Sequence, residues 1–152
     1  MTVLDTEGQD IWSLVEAAAN THGVPAELLL ALCQAESGLD PKASRYGEWP
    51  DVSFGLVQCT VQTAAGYGLG DGSNAPDNVA NVRASLYSRP VALDIGARIL
   101  AECLAETGGD WLMALRRYNG GSWGLTAEYA AAYPGNIATY QRALEWARET
   151  VG

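Results

Sequence analysis

Apolar positions recur every three or four residues through most of the chain, and the pattern breaks at glycines and prolines. Ile11, Leu14, Val15 and Ala18 form the first stripe, widened by Trp12 and ended by His22-Gly23. A helix reaching about Asn20 is predicted there, opened by a capping box at Thr6-Glu7-Gly8-Gln9. His22 is then placed in a connection. Pro25 opens a second helix through Leu28-Leu29-Leu30-Ala31-Leu32-Cys33, stopped by Gly38 and Pro41. Residues 42–51 carry no period and read as irregular, with Gly47 and Pro50 as breakers. Residues 52–59 read as one or two short strands, and 60–65 as a helical turn. Gly66, Gly68, Gly70 and Gly72 alternate through a loop expected to form the mobile rim of a groove.

Helices are predicted again over residues 76–87 (Val79, Val82 and Leu86 in phase), 90–107 (Ala92, Ile95, Ile99 and Cys103) and 111–118. The last of these is capped by Gly108-Gly109-Asp110. Residues 126–133 form a short helix, and Pro134-Gly135 interrupts the chain before a final helix from Ile137 to about Glu149. Gly96, inside one of these helices, marks the close approach of another backbone. The expected class is α+β, mostly α, with a small strand element after the second helix. With no internal repeat and 152 residues, one domain over residues 1–152 is expected.

Composition narrows the function. A net charge of −9 argues against nucleic acid, which wants a basic face. No apolar run approaches the roughly 18 residues of a membrane span. The start, Met1-Thr2-Val3-Leu4-Asp5, has no basic or apolar signal region, so no secretory signal peptide is expected in this chain. Cys33, Cys59 and Cys103 are an odd number with no metal-type pairing, and they read as buried small residues, a Cys33–Cys59 bridge staying open. One histidine cannot build a histidine triad or a zinc site. The glycine loop has neither dinucleotide nor EF-hand spacing. Neither cofactor nor metal is expected.

Glu36 is the residue that stands out. It follows Leu29 by seven positions and Cys33 by three, so it lies on the same apolar helix face. Desolvation and the negative end of the helix dipole both disfavour its charge. Its pKa is therefore expected above the roughly 4.3 of a free Glu, which suits a general acid.

Glu36-Ser37-Gly38-Leu39-Asp40-Pro41 resembles the Glu-Ser-Gly motif of the SLT-type lytic transglycosylases. Gly55-Leu56-Val57-Gln58 resembles that family's Gly-Leu-Met-Gln segment. Asp94-Ile95-Gly96-Ala97 resembles its Asn-Ile-x-x-Gly helix, with Asp94 in place of Asn, and Arg117-Tyr118-Asn119-Gly120-Gly121 resembles its Ala-Tyr-Asn-Ala-Gly motif. The resemblance runs from about Val24 to Ala147 and extends to goose-type lysozymes and phage cell-wall lysins. It implies a lysozyme-like fold that cleaves peptidoglycan glycan strands, with Glu36 as acid/base. Gln58, Tyr118, Asn119 and Tyr140 would bind the sugar or orient Glu36, Tyr118 and Tyr140 being read equally as core aromatics. The family's serine after the Glu has two candidates here, Ser44 and Ser53, of which Ser53 is carried as a substrate-binding residue. Asp51 is an extra carboxylate.

The function expected from this resemblance is cleavage of the β-1,4 MurNAc-GlcNAc bond with a 1,6-anhydro product. The alternatives are an inverting lysozyme in which Asp51 activates water, a chitosanase-like glycosidase, and a non-catalytic glycan-binding or virion structural domain. The expected setting is extracellular, cell-wall or virion-associated. The expected form is a monomer or a module of a larger protein.

Overall fold

The computed structural model describes residues 1–152 and is built around one helix. This helix, α2 (Ala26–Ser37), has six consecutive residues, Leu28 to Cys33, with no exposed surface at all. A helix apolar on every side must be surrounded. Here α1 (Trp12–His22), α5 (Arg89–Glu106) and α8 (Pro134–Val151) enclose it. The remaining helices are α3 (Val61–Ala65), α4 (Pro76–Leu86), α6 (Trp111–Gly120) and α7 (Ala127–Ala132). A 3-10 turn, Gly121–Leu125, joins α6 to α7. One contiguous apolar cluster runs through this assembly. No helix is long and apolar enough to cross a membrane.

Between α2 and α3 the chain forms a three-stranded antiparallel sheet in the order β1 (Ser44–Tyr46), β2 (Val52–Phe54), β3 (Cys59–Thr60). The molecule is thus a mostly helical α+β protein of the lysozyme-like class. The strand β1 lies inside the stretch read as irregular. All three of its residues are exposed, so it shows no alternation, and only pairing with β2 defines it.

Several local expectations are corrected. Thr6-Glu7-Gly8-Gln9 makes no capping box. The Asp5 carboxylate accepts from the Glu7 and Gln9 N–H groups instead, and Asp10 Oδ1 accepts from Val3 and Trp12. Asp5 is buried against Arg89, 2.6 Å from its Nε, which ties this N-terminal loop to the start of α5. His22 is the last residue of α1, not part of a connection, and its Nε2 lies 2.6 Å from Asp94 Oδ1 on α5. The short helix α7 does end before Pro134, but the last helix starts at Pro134 and not at Ile137, because a proline is tolerated in a first helical turn. The glycine loop packs back on α4, where Asn78 accepts from Asp71 N–H and donates to the Ser73 carbonyl. All three cysteines are buried and free.

Two glycines of the motifs are explained by close approach. Gly55 has φ +84°, and a Cβ there would stand 2.3 Å from the Leu86 carbonyl oxygen. Gly96 meets a side chain, not the backbone expected from sequence: its Cβ would stand 2.6 Å from Val57 Cγ1. Val57 is fully buried and β-branched, so it has little room to turn away. Gly96→Ala should therefore lower stability by about 1–2 kcal/mol in urea melts, overpacking outweighing the better helix propensity of alanine. Adding Val57→Ala should recover part of the loss attributable to the clash. A stabilised Gly96→Ala protein would contradict this packing.

Candidate active site

Glu36 sits in the last turn of α2, where Gly38 caps the helix in the left-handed region and Leu39 follows at φ 63°. A buried leucine at positive φ is strained by about 1–2 kcal/mol, and its burial helps hold the conformation. Ser37 Oγ lies 3.0 Å from the Cys33 carbonyl and 2.8 Å from the Leu56 carbonyl, and it accepts from the Asp40 N–H. The serine of the Glu-Ser-Gly motif thus fastens the end of α2 to the turn after β2.

That turn, residues 55–58, is held by side chains from several directions. Ser37 reaches the Leu56 carbonyl, Tyr118 donates to the Val57 carbonyl at 2.7 Å, and Gln58 Nε2 donates to the Gly55 and Ala43 carbonyls. Gln58 Oε1 in turn accepts from Ser53 Oγ at 3.1 Å. The polar end of Gln58 finds its partners within the chain. The same holds for the Tyr118 hydroxyl.

The sheet register decides which strand residues face the cleft. Arg45 pairs with Ser53 and Ser53 with Thr60, so these three share one face. All three line a cleft of about 600 Å3 together with Glu36, Asp51, Gln58, Tyr118 and Asn119. Ser44 belongs to the opposite row, and its hydroxyl meets that of Tyr87. No residue of the glycine loop lines this cleft. A second hollow of similar size lies between the start of α6 and the end of α8, but its ionisable groups, Asp110, Glu145 and Arg148, are all exposed.

Glu36 differs from every other polar side chain in the protein. Its Oε1 is sealed from solvent and has no hydrogen-bond partner. The residue as a whole is only half-buried, because the rest of it opens on the cleft. Burial raises its pKa from the usual 4.5 to about 7, against the opposing pull of the Tyr140 hydroxyl and of Arg45. Tyr140 is buried beside it, and its own pKa is raised by burial first and then by Glu36 and Tyr129. Asp51 Oδ2 accepts from Arg45 Nε at 3.0 Å and Nη2 at 2.9 Å. Asn119 Oδ1 accepts from Tyr129 Oη at 2.8 Å and from Asn136 Nδ2 at 3.4 Å.

The cleft therefore gathers Glu36, Asp51, Ser53, Gln58, Tyr118 and Asn119, with Tyr140 packed behind Glu36. It also holds residues that sequence reasoning did not single out: Arg45, Trp123, Tyr129, Tyr133 and Asn136. Arg45 had no signal, because it lies on a strand without alternation. The aromatics had one, in the density of Trp123, Tyr129 and Tyr133 around two short helices.

The family model described as "Transglycosylase SLT domain" matches residues 13–140. No curated protein and no solved structure matches the chain.

A carboxyl with a raised pKa links stability to pH. Between about 4.5 and 7 the folded state holds a proton on Glu36 that the unfolded state has released, so stability falls as pH rises through this window. Relative to Glu36→Gln, the unaltered protein should lose on the order of 3 kcal/mol between pH 4 and 8. Urea melts of both proteins at the two pH values measure this. A stability difference that does not change with pH would mean that Glu36 titrates as a free carboxylate.

Proposed function

The chain belongs to the SLT transglycosylase family, and on that premise we propose that Glu36 cleaves the β-1,4 MurNAc-GlcNAc bond of peptidoglycan as general acid and then as general base. The observation that carries this reading is the sealed, unpartnered Oε1 and the pKa of about 7. A group half-protonated near neutrality can both give and take a proton there.

In the first step protonated Glu36 donates to the glycosidic oxygen as the bond to C1 of the muramoyl ring breaks. The leaving sugar departs with that proton, and positive charge develops at C1. The Glu36 carboxylate faces this charge. In the second step it takes the proton of the C6 hydroxyl while O6 bonds to C1. The ring closes as a 1,6-anhydro end, Glu36 returns to its acid form, and no water is consumed. One carboxyl group is enough for this cycle, whereas hydrolysis generally uses two.

The roles of the neighbours follow from their bonds. Gln58 and Tyr118 spend their polar atoms on the carbonyls of residues 43, 55 and 57, so they shape the cleft wall in preference to gripping the sugar. Ser53 holds Gln58 in place. Asn119 keeps its Nδ2 for a sugar acceptor, since Tyr129 and Asn136 both bond its Oδ1. Tyr140 backs Glu36. A protein with this activity works at the cell wall, outside the cytoplasm or carried on a virion.

The hydrolytic reading keeps one observation in its favour, since Asp51 lines the same cleft as Glu36. Against it, Asp51 Oδ2 is already engaged by Arg45.

Glu36→Gln should lower activity on purified cell walls about a hundred- to ten-thousand-fold, because the amide has no proton to deliver. Asp51→Asn should cost less than about tenfold, because attack by O6 needs no base for water. Mass spectrometry of the soluble products should find muramoyl ends lighter by one water and resistant to borohydride. Reducible muramic acid ends, together with an inactive Asp51→Asn variant, would establish hydrolysis instead.

A further inference from the structure

Three aromatic side chains form a cluster at the cleft, outside the central apolar cluster. Trp123, Tyr129 and Tyr133 have ring centroids 5.5–5.7 Å apart, and Trp123 stands nearly perpendicular to both tyrosines. None of the three is part of the central apolar cluster. Tyr129 is buried, but Trp123 and Tyr133 are 46% and 47% exposed. Both open on the cleft that contains Glu36. With half its area left in water, each ring gives folding only part of what full burial would give. Two of them side by side, in a cleft, need another explanation.

The chain around them is built to hold them still. Arg116 Nε donates to the Gly124 carbonyl at 2.9 Å and Nη2 to the Thr126 carbonyl at 3.0 Å, bracketing the 3-10 turn that carries Trp123. The turn presses so closely on α6 that a Cβ on Gly124 would stand 2.1 Å from the Arg116 carbonyl oxygen. Gly120 leaves room for the Tyr129 ring, whose edge would be 3.1 Å from a Cβ there. Tyr129 is packed under Trp123, lies 5.6 Å from the Arg116 guanidinium, and fixes Asn119 through its hydroxyl. The exposed rings are thus preorganised, which lowers the ordering cost of binding.

The geometry points to Trp123 and Tyr133 as a stacking platform for a pyranose ring of the glycan strand, a binding subsite on the α6–α8 side of the cleft. This inference rests on the reading of the cleft as a peptidoglycan site. The apolar C–H face of a sugar carries partial positive charge and meets the negative face of an aromatic ring. The amides of Asn119 and Asn136 lie at the same wall and suit the hydroxyl and acetamido groups at the sugar's edge. The cleft, at about 600 Å3, lies within the ~300–1,000 Å3 span of ligand sites. A rigid aromatic beside amide groups, continuous with a candidate acid, fits a carbohydrate better than an apolar peptide.

The test is titration of the Glu36→Gln protein, which cannot turn over, with a soluble β-1,4-linked GlcNAc oligomer, followed by calorimetry and indole NMR. Trp123→Ala in that background should weaken binding by about tenfold or more. Trp123→Phe should keep most of it, and Tyr133→Ala should show a smaller loss. Melting temperatures should fall by only a few degrees, since both side chains are half exposed and lie outside the central apolar cluster, and every variant should stay folded at the titration temperature. The Trp123 indole signal, identified by its absence in Trp123→Phe, should move on titration. Equal affinity of Glu36→Gln with and without Trp123→Ala, or no oligomer binding at all, would overturn the platform. Cleavage of purified walls by the unaltered chain, run in parallel, reports on the enzyme reading separately.

Discussion

The arrangement of the cleft depends on one buried oxygen atom without a partner. Glu36 Oε1 is the sole side-chain polar atom in the protein that is both sealed from solvent and unbonded. Leaving such a group charged costs free energy, so the carboxyl holds its proton up to about pH 7. The surrounding polar groups make this selective. The carbonyls of Gly55, Leu56 and Val57 each have a side-chain donor, and Gln58 is satisfied at both ends. Nothing is left over to stabilise the carboxylate except the Tyr140 hydroxyl and the more distant charge of Arg45.

This condition requires two rigid walls. The first is α2, whose middle is enclosed by α1, α5 and α8, so that its last turn is held where Glu36 Oε1 stays sealed. The second is the sheet and the turn after β2. Ser37 ties the two together at the position next to Glu36, and Tyr118 ties the turn to α6. Gly55 and Gly96 let Leu86 and Val57 close in, which brings this turn against α4 and α5. Each motif therefore fixes a piece of backbone that frames the carboxyl group. The motifs read as a constellation because they share one turn.

Much of this was legible in the sequence because it rests on local periodicity. The helix of Glu36 and its cap followed from six apolar residues, Gly38 and Pro41. The raised pKa followed from sharing a face with Leu29 and Cys33. What escaped was non-local. The strand β1 is exposed on every residue and exists through its pairing partner. Arg45 enters the cleft only because the register sets it beside Ser53. The choice between Ser44 and Ser53 needed the same register. The capping box at Thr6 failed because Asp5 takes the Gln9 N–H and the Leu39 carbonyl takes that of Thr6. Gln58 is read from its motif as binding the sugar or orienting Glu36, and its bonds to the Ala43 and Gly55 carbonyls come from the fold of the turn, which no local pattern encodes.

The most direct test of the account is the ionisation of Glu36 itself. A carbon-detected NMR titration of the side-chain carboxyl, assigned by its absence in Glu36→Gln, measures this in the free protein. A midpoint near 7 is the result expected for a carboxyl with one oxygen sealed and unpartnered. A midpoint at the ordinary value of about 4.5 would show that water or a donor reaches it, and would contradict the account.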